Sequence, residues 1–535
     1  MPATDRNLPL RRWTAAALFT ACALTASPSL AGGVLQGDLD ELVRQKHLAG
    51  ARVGVVILDA GTGQTLASLR QDEPFMPASN MKLLTTGAAM MVLGADFSFR
   101  TELLVDGTRL IVRGSGDPSL ADPDMLRMTD AKLTANNIVD TLAGAVQQAG
   151  VQQISEVIID DRIFDRQFVH PGWNPENFEE TYSAEVSGLN FHANTLAIFP
   201  RPNPAGQGSL PICDTEPAAP WLHIDCAKSK TVTKGKNSYW IARSTETDCF
   251  IRSNLPAREP TFLDGFACNT FSLRGDVKTA APTPTFVNIR NVPAFFGNIL
   301  ASDISQHGVI LTGTAAHPDL PKGVRLATQD EPLDKGRVVA VVTTPLVDII
   351  THCNVESQNL YAESLLKRMG HDVTKDPGSW STGSAVLRMM ISQELGPEAA
   401  AATTISDGSG LSRDNRVTPM TLARWLKACA DKPWGTRFVD SLAAPGTGTL
   451  EKRFKSKRLT NEVRAKSGYI NGVRSLSGYV TDTVNNERYI FSILINDLPN
   501  GSNNATTEAR ELHEDIVDLI DDALVRKANH RRLGG

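Results

Sequence analysis

Three strand-like runs near the C-terminus, joined by very short turns, constrain the fold more than any other part of the sequence. They lie at residues 463–470, 473–481 and 488–496. Asn471-Gly472 separates the first two runs and is the dipeptide that two-residue hairpin turns favour. Asn485-Asn486 separates the next two. Because such short connections join antiparallel neighbours, the sequence predicts an antiparallel meander.

Both terminal regions also show apolar residues at helical spacing, whereas the middle of the chain does not. Helices are predicted at residues 38–44, 79–93, 346–352, 359–368, 385–394, 419–430 and 508–524. A strand pair is predicted at 52–58 and 65–69, around a turn rich in Asp and Gly. Between the terminal regions, strands alternate with loops rich in Pro and Gly. We therefore predict a mixed α/β fold, an antiparallel sheet flanked by helices, interrupted by a β-rich segment.

The composition is that of a globular protein. The chain has 535 residues, 41% apolar and 21% charged, which excludes collagen-like, coiled-coil and wholly disordered chains. A net charge of −5 argues against nucleic acid as a partner, since binding phosphates requires positive charge. The basic residues at 526–532 predict a solvated tail with at most weak association with a membrane surface. The oligomeric state is not indicated.

The N-terminus has the three parts of a secretory signal. Arg11 and Arg12 precede an apolar run over 13–26, and Ser29-Leu30-Ala31 supplies small residues for cleavage after Ala31. The run is shorter than the ~20 residues that cross a bilayer. We predict a signal over residues 1–31 and export to the periplasm, with a buried helix as the alternative.

Six cysteines follow the predicted signal. Four of them are clustered, Cys213, Cys226, Cys249 and Cys268. An oxidising compartment predicts disulfides among them, and three pairings are open. Their spacing does not favour zinc. Cys353 and Cys429 either pair with each other or remain buried thiols.

Ser79 and Lys82 are the candidate nucleophile and base of an enzyme without a metal motif. Positions three apart share a helix face, so a neutral Lys82 can accept the proton of Ser79. Burial, or the charge of Lys466, would lower the pKa of Lys82 for this role. Ser364 and Lys367 share the spacing, but we expect them on the surface of a helix. Ser79 instead opens its helix, where free backbone N–H groups can bind an oxyanion.

Two further motifs follow in the chain. Ser357 could relay a proton, and the amide of Asn359 could hold a substrate carbonyl, although a helix cap also explains the serine. Lys466 and Ser467 lie on the first strand of the meander, where a cation and a hydroxyl suit a terminal carboxylate. Gly468 would let a substrate approach this strand closely.

Ser-x-x-Lys, Ser-x-Asn and Lys-[Ser/Thr]-Gly, in this order, form the signature of penicillin-binding proteins and serine β-lactamases. The chain resembles most the class C low-molecular-mass penicillin-binding proteins, the D-alanyl-D-alanine carboxypeptidase/endopeptidases of peptidase family S13. Lys82 and Ser357 are 275 positions apart, similar to that family's large insertion. Segments 114–120 and 407–413 resemble its Gly-Asp-Pro and Asp-Gly-Ser-Gly-Leu-Ser-Arg segments.

The resemblance implies a fold and a domain organisation. The catalytic domain would be serine β-lactamase/transpeptidase-like and split between residues 32–99 and 343–535. Residues 100–342 would be an insertion that forms two smaller β-rich domains.

The resemblance also implies a role for each catalytic residue. Ser79 would be acylated, Lys82 would be its general base, and Ser357 would relay a proton to the leaving amine. Asn359 would position the substrate amide, and Lys466 would supply positive potential.

Five residues are implied in substrate binding. Ser467 would bind the D-Ala carboxylate, beside Gly468. The backbone N–H groups of the nucleophile and of Tyr469 would form the oxyanion hole. Arg413 lies near the cleft in this family, and Asp160 matches a position that meets the diamino acid of the stem peptide. The family usually has Thr at position 467, but the hydroxyl is retained.

The predicted activity is that of a serine-type D-Ala-D-Ala carboxypeptidase, with D,D-endopeptidase activity as an extension. It would act on peptidoglycan stem peptides, require no cofactor or metal, and be inhibited covalently by β-lactams. The alternatives are a serine β-lactamase, for which we find no Glu-x-x-Leu-Asn segment, and a non-catalytic scaffold that binds the cell wall.

Overall fold

The computed structural model describes residues 30–46, 48, 50–205, 210–227, 232–234, 238–240, 248–253, 269–499 and 502–534. Nearly all of the predicted signal, residues 1–31, therefore lies outside the described residues. Within the described part of the chain, no helix has both the length and the apolar character needed to cross a bilayer.

The chain forms three successive groups of elements. The first group contains α1 (Leu30–Gln45), β1 (Arg52–Asp59), β2 (Thr65–Leu69) and α2 (Met81–Val92). The middle group contains β3 (Ser98–Asp106), β4 (Arg109–Arg113), α3 (Pro123–Thr129), α4 (Ala135–Gln148), β5 (Gln153–Ile154), β6 (Glu156–Asp160), β7 (Thr195–Arg201), β8 (Ile212–Glu216), β9 (Ile224–Ala227), β10 (Val232–Lys234), β11 (Ser238–Trp240), β12 (Asp248–Ser253), β13 (Phe271–Asp276), β14 (Thr285–Asn288), α5 (Val292–Gln306), β15 (Ile310–Leu311), β16 (Val324–Leu326) and β17 (Arg337–Pro345). The last group contains α6 (Leu346–Val355), α7 (Asn359–Thr374), α8 (Trp380–Leu395), α9 (Pro397–Ala401), α10 (Pro419–Ala430), α11 (Gly435–Asp440), β18 (Glu462–Ile470), β19 (Val473–Asp482), β20 (Glu487–Asn496) and α12 (Asn503–Gly534).

The first and last groups share one antiparallel sheet, with strand order β18-β19-β20-β1-β2. β1 pairs with β20 along its whole length, from Arg52 opposite Asn496 to Asp59 opposite Tyr489. Asn471-Gly472 closes the β18–β19 hairpin as a two-residue turn. The meander predicted from the sequence is confirmed.

Helices cover both faces of this sheet. Successive residues of β1 point to opposite faces, as the pleat requires. Val55 belongs to the buried cluster that includes α1 and α12. Val56 belongs to the cluster that includes α2, α6, α7, α8 and α10. The sheet is thus the middle layer of a helix–sheet–helix sandwich, and α2 lies in its buried core.

The first and last elements of the middle group, β3 and β17, are neighbouring strands. β3 pairs with β17 from Ser98 opposite Pro345, and both belong to a mixed sheet of order β16-β6-β4-β3-β17. Smaller sheets have the orders β14-β7-β8, β12-β13-β9, β15-β5 and β10-β11. The β3–β17 pairing extends slightly beyond both ends of the predicted insertion, 100–342. The division of this segment into two domains stays a prediction.

Helices α3, α4 and α5 interrupt the middle group, where the sequence predicts strands and loops. α4 begins with a capping box between Thr134 and Asn137 and packs against α5. α5 buries apolar residues on most of its surface, among them Phe295, Phe296 and Leu300. Such a run lacks the polar face that distinguishes a helix from a strand. The prediction was therefore wrong at α5. It was also wrong at α3 and α4, although the segment is rich in strands.

The clustered cysteines are only partly described. The Sγ atoms of Cys213 and Cys226 lie 3.9 Å apart, whereas a disulfide bond is about 2.05 Å long. Cys268 lies outside the described residues, and only the backbone of Cys249 is described. Pairing among these four stays a prediction. Cys353 and Cys429 are fully buried thiols, one of the two outcomes expected for them.

Candidate active site

Ser79 lies in a 3₁₀ turn, Ala78–Asn80, directly before α2. Three hydrogen bonds attach this turn to the main sheet. The Asn80 side chain donates to the Lys466 carbonyl at 2.7 Å and accepts from Ser477 Oγ at 2.8 Å. Ser475 Oγ donates to the Pro77 carbonyl at 2.7 Å. Ser79, the predicted nucleophile, is therefore held against β18 and β19 rather than on a free helix end.

Lys82 lies one helical turn after Ser79 and is fully buried. Its Nζ is 3.1 Å from Ser79 Oγ, 2.6 Å from Asn359 Oδ1 and 2.9 Å from the Ser409 carbonyl oxygen. The last two atoms only accept hydrogen bonds. A neutral amine has two N–H bonds and one lone pair, so donation to both acceptors leaves the lone pair directed to the Ser79 hydroxyl.

The protonation state of Lys82 fits this arrangement. Burial lowers its pKa to about 8, against opposing attraction from Glu363 and Asp407. The sequence suggested burial or the charge of Lys466 as the cause of a low Lys82 pKa, and burial is the one that acts. The repulsion between the two lysines instead affects Lys466, because burial and the Lys82 charge hold the pKa of Lys466 well below its ordinary value.

Ser357 and Lys466 form a second hydrogen-bonded pair. Lys466 Nζ donates to Ser357 Oγ at 2.9 Å and to the Ser467 carbonyl at 2.8 Å. Ser357 lies between α6 and α7 with a left-handed backbone, φ 64°. Left-handed backbone at a residue other than Gly costs energy and concentrates at functional sites. The strained turn holds the hydroxyl against Lys466 Nζ.

Asn359 is the first residue of α7, and both ends of its amide have partners. Oδ1 accepts from Lys82, and Nδ2 donates to the Tyr182 carbonyl at 2.8 Å. Tyr182 belongs to a 3₁₀ turn of the middle group, Thr181–Ser183. An amide nitrogen has two N–H bonds. One N–H therefore remains for a substrate carbonyl.

β18 passes very close to the nucleophile. A Cβ at Gly468 would lie 2.9 Å from the backbone nitrogen of Ser79, so only Gly permits this approach. The predicted oxyanion donors, the backbone N–H groups of Ser79 and Tyr469, belong to these two adjoining segments. The Tyr469 side chain is 60% exposed, with the Arg474 guanidinium 3.8 Å from its ring centroid.

Glu363, a residue with no predicted role, holds the segment that contacts Lys82. Its carboxylate accepts from the backbone nitrogens of Gly408 at 2.9 Å and Ser409 at 2.8 Å, and from Trp380 Nε1 at 2.8 Å. Ser409 is the residue whose carbonyl binds Lys82. Burial, reinforced by the charge of Asp407, raises the pKa of Glu363 to about 7.

One sequence signal would have pointed to Glu363. It lies four residues after Asn359, and positions four apart share a helix face. Glu363 binds the segment 407–413, which resembles a family motif but had no predicted contact with Lys82. Gly410 of this segment also touches the nucleophile turn, since a Cβ there would lie 1.8 Å from the Ala78 carbonyl oxygen.

Arg413 and Asp160, the two other predicted binding residues, lie in different surroundings. Arg413 is exposed and donates to the carbonyl of Asn471, in the turn after β18, at 2.8 Å. Asp160 is buried, and both of its carboxylate oxygens accept from Arg162, at 2.7 and 3.0 Å. These contacts place Arg413 beside the β18 hairpin and Asp160 in the mixed sheet. Substrate binding stays a prediction for both.

Ser364 and Lys367, which share the spacing of the nucleophile pair, are buried rather than on the surface of α7. Lys367 Nζ is 2.7 Å from Asp165 Oδ1 and 3.8 Å from the ring centroid of Trp380. The surface prediction was therefore wrong. A lysine can be buried here because an ion pair and an aromatic face compensate its charge.

Known proteins match this chain over most of its length. The model of the D-Ala-D-Ala carboxypeptidase 3 (S13) family matches residues 35–519. The D-alanyl-D-alanine carboxypeptidase of Actinomadura sp. (strain R39) is 29% identical over 476 residues, 84% of this chain and 80% of that protein. D-alanyl-D-alanine carboxypeptidase DacB of Haemophilus influenzae is 22% identical over 483 residues, 88% of this chain and 90% of that protein.

The fold is similar to a solved one. The crystal structure of penicillin binding protein 4 (dacB) from Haemophilus influenzae aligns with a TM-score of 0.67 at 20% identity, covering 89% of this chain and 99% of that chain. This similarity confirms the predicted fold class. Since the family model spans most of the sequence, the chain belongs to the D-Ala-D-Ala carboxypeptidase 3 (S13) family, as its three motifs predict.

Proposed function

We propose that this chain hydrolyses the D-Ala-D-Ala bond at the end of peptidoglycan stem peptides, through an acyl-enzyme on Ser79. The observation that carries the proposal is the set of three Lys82 partners. Two acceptors take its N–H bonds, and the Ser79 hydroxyl, 3.1 Å away, faces its lone pair. A serine becomes an effective nucleophile when an adjacent base takes its proton.

In the acylation step, Ser79 Oγ attacks the carbonyl carbon of the penultimate D-Ala while its proton passes to Lys82. The oxygen of the tetrahedral intermediate is bound by the backbone N–H groups of Ser79 and Tyr469. Ser357, polarised by Lys466 at 2.9 Å, donates its proton to the leaving amine, and Lys82 replaces that proton. The C–N bond breaks, D-alanine leaves, and an ester on Ser79 remains.

In the deacylation step, a water attacks this ester. Lys82, again neutral, accepts the proton of the water, and Ser79 Oγ recovers a proton as the ester breaks. The products are the shortened peptide acid and the free enzyme. Each step uses side chains and backbone groups of this chain.

Strand β18 also suggests how the substrate binds. A peptide beside β18 would place its terminal carboxylate at Ser467 and its amide at Asn359, with Arg413 near the hairpin turn. Cleavage of a D-Ala–diamino acid crosslink requires the same bond changes, because only the group attached to the leaving amine differs. Endopeptidase activity is therefore part of the proposal.

Penicillins are expected to acylate Ser79 and to remain bound, since their leaving amine stays tethered to the acyl group. The Haemophilus influenzae penicillin binding protein 4 has been crystallised in complex with a β-lactam. We further propose export to the periplasm, where the substrate lies, and a role for residues 100–342 in substrate access.

The test is digestion of purified muropeptides, both pentapeptide monomers and crosslinked dimers, with product masses read out. The proposal predicts loss of one alanine from monomers by the wild type and no product with Ser79→Ala. Conversion of dimers to monomers would establish the endopeptidase activity. Rapid turnover of nitrocefin would favour a β-lactamase, and binding to sacculi without D-Ala release would favour a scaffold.

A further inference from the structure

A group of metal-ligating side chains, separate from the candidate active site, lies where the middle group meets helix α6. Asp122 and Asp124 lie at the start of α3, and His352 lies on α6. One ligand atom of each residue, a carboxylate oxygen or a ring nitrogen, lies within 4.8 Å of the other two. Imidazole and carboxylate together are a donor set that divalent transition metals accept. The three residues therefore have both the chemistry and the spacing of a metal site.

His352 is the member of this group that points to a ligand. It is 2% exposed, and neither of its ring nitrogens has a hydrogen-bond partner within the part of the chain that the structure describes. Its Nε2 is 3.9 Å from Asp122 Oδ2, which is too far for a hydrogen bond. Two metal–ligand bonds of about 2.1 Å each span such a separation. The imidazole thus faces a carboxylate at the distance that an ion between them requires.

Asp122 is already fixed in orientation, as a metal ligand needs to be. Its Oδ1 accepts from the backbone nitrogens of Asp124 at 2.8 Å and Met125 at 3.3 Å. Its Oδ2 accepts from the Tyr361 hydroxyl at 2.8 Å. The Tyr361 ring also packs against the His352 ring, with 4.9 Å between the centroids. Neighbours that orient the ligands in this way are typical of metal sites, and Tyr361 orients two of the three.

Negative charge is concentrated around this group. Burial and the charges of three nearby carboxylates hold the pKa of Tyr361 well above its ordinary value. These carboxylates are those of Asp122, Asp117 and Asp124. Apart from the histidine, the basic partner that the described residues supply to them is Arg127, which pairs with Asp124 at the surface. A divalent cation would compensate the remaining charge.

We propose that Asp122, Asp124 and His352 bind a divalent transition metal ion of the zinc type, which joins the start of α3 to α6. The Asp124 side chain is 48% exposed, so an ion can enter from that side and complete its coordination with water. Ser357 follows the end of α6, and the ion would hold the middle group against the helix that leads to it. The ion takes no part in the bond changes of the proposed reaction, so the site does not depend on the proposed function.

The experiment measures binding of Zn²⁺ to the metal-free full chain by calorimetry, with Mg²⁺ as the reference ion. We expect saturable Zn²⁺ binding that raises the melting temperature, since a ligand of the folded state stabilises it. Asp124→Asn removes an exposed ligand, so the fold should survive, and His352→Gln removes the buried one. Affinity should fall at least about tenfold in each. The control is Asp140→Asn, because Asp140 is also exposed and also faces a histidine, with 2.9 Å between its Oδ1 and His307 Nε2.

Absorption spectra of the chain with Co²⁺ in place of Zn²⁺ identify the ligands. Oxygen and nitrogen ligands give weak visible bands, whereas thiolates add an intense near-ultraviolet band. Weak visible bands in the wild type and the control, lost in Asp124→Asn, would support the proposal. An intense near-ultraviolet band, Zn²⁺ binding no stronger than that of Mg²⁺, folded Asp124→Asn that binds like the wild type, or binding lost in the control would overturn it. Should His352→Gln not fold by circular dichroism, Asp124→Asn decides.

Discussion

The three neighbours of the Lys82 amine determine which proton transfers it can make. Because Asn359 Oδ1 and the Ser409 carbonyl accept hydrogen bonds only, the protonated amine can bind both and still donate to Ser79. Only the neutral amine can accept the proton of Ser79. The pKa of Lys82 is about 8, so the neutral amine is a minority at neutral pH and becomes dominant above pH 8.

The first prediction concerns the pH dependence of acylation. The second-order rate constant for acylation by benzylpenicillin should rise about tenfold per pH unit well below the Lys82 pKa and level off above about pH 8. Stopped-flow measurements between pH 6 and 9.5 give this profile. A rate that stays flat, or falls, as pH rises through 8 would exclude Lys82 as the base.

The motif residues could be predicted from the sequence because their roles follow from spacing within a helix or strand. Ser79 and Lys82 lie on one helix face, and Lys466 on a strand next to a tight turn. The helical spacing of Glu363 from Asn359 was a signal of its position, but the partners of Glu363 and of Tyr182 could not be predicted. Their contacts with Ser409 and Asn359 join segments that are distant in the sequence, and the sequence does not specify which loops meet.

At the scale of elements, the loop 407–412 joins the nucleophile turn to α7. Ser409 binds Lys82, and Gly410 lies against the Ala78 carbonyl. Two buried carboxylates hold the loop, since Glu363 accepts from the backbone nitrogens of Gly408 and Ser409 and Asp407 accepts from that of Ser412 at 2.6 Å. The loop therefore positions both Lys82 and the turn that carries Ser79.

The second prediction is that Glu363→Gln lowers acylation about 10- to 100-fold, the effect of losing ~1–3 kcal/mol of hydrogen bonding. The Glu363 carboxylate accepts from two backbone N–H groups, one on each oxygen. Gln has only one acceptor oxygen, so its NH₂ would face the second N–H and a hydrogen bond would be lost. Because the Glu363 charge raises the Lys82 pKa, the midpoint of the pH–rate profile should also move to lower pH.

Glu185→Gln is the matched control for this prediction. Glu185 is also fully buried, and burial raises its pKa to about 7, but its partners, Asn291 and Arg290, belong to the middle group. This variant should lose stability without moving the profile. If both variants shift the midpoint equally, or neither does, Glu363 does not position Lys82.

The third prediction compares two glycines with left-handed backbone. Gly410 has φ 85° and no space for a Cβ beside Ala78, whereas Gly446 has φ 88° and open space around it. Both Ala variants carry the cost of a left-handed residue, about 1–2 kcal/mol. Only Gly410→Ala should displace the nucleophile turn, and a shift of ~1 Å can reduce a rate about 100-fold.

Acylation rates corrected for folded fraction test this comparison, because the correction removes the shared stability cost. Equal rates for Gly410→Ala and Gly446→Ala would show that the loop does not fix the nucleophile.

Elements were predictable where turn chemistry or a polar face marked them. The β18–β19 hairpin follows from Asn471-Gly472, and the helices that cover the main sheet follow from their periodicity. α5 was missed because it is buried on most sides. α4 has a capping box and a polar face, so its signal was present in the sequence.

In the whole molecule, the middle group contacts the candidate active site directly. Trp173 belongs to the same buried cluster as α2 and α7 and donates to Asp407 at 2.9 Å. Lys367 on α7 pairs with Asp165, and Asn359 binds the Tyr182 carbonyl. The large separation of Lys82 and Ser357 predicted an insertion, but these contacts required the structure.

The fourth prediction is that the first, middle and last groups of elements unfold together in urea. A shared hydrophobic cluster couples them, and coupled parts unfold in one cooperative transition. Tryptophan fluorescence and residual penicillin labelling should give coincident curves. Loss of labelling at a clearly lower urea concentration would show that the middle group separates first.

If Ser79 is the acylated nucleophile, the mass of the intact protein after treatment with benzylpenicillin will show it. We expect one penicilloyl adduct per chain, located by peptide mapping on Ser79, and no adduct on Ser79→Ala. Normal labelling of Ser79→Ala, or an adduct mapped to another serine such as Ser357, would contradict it.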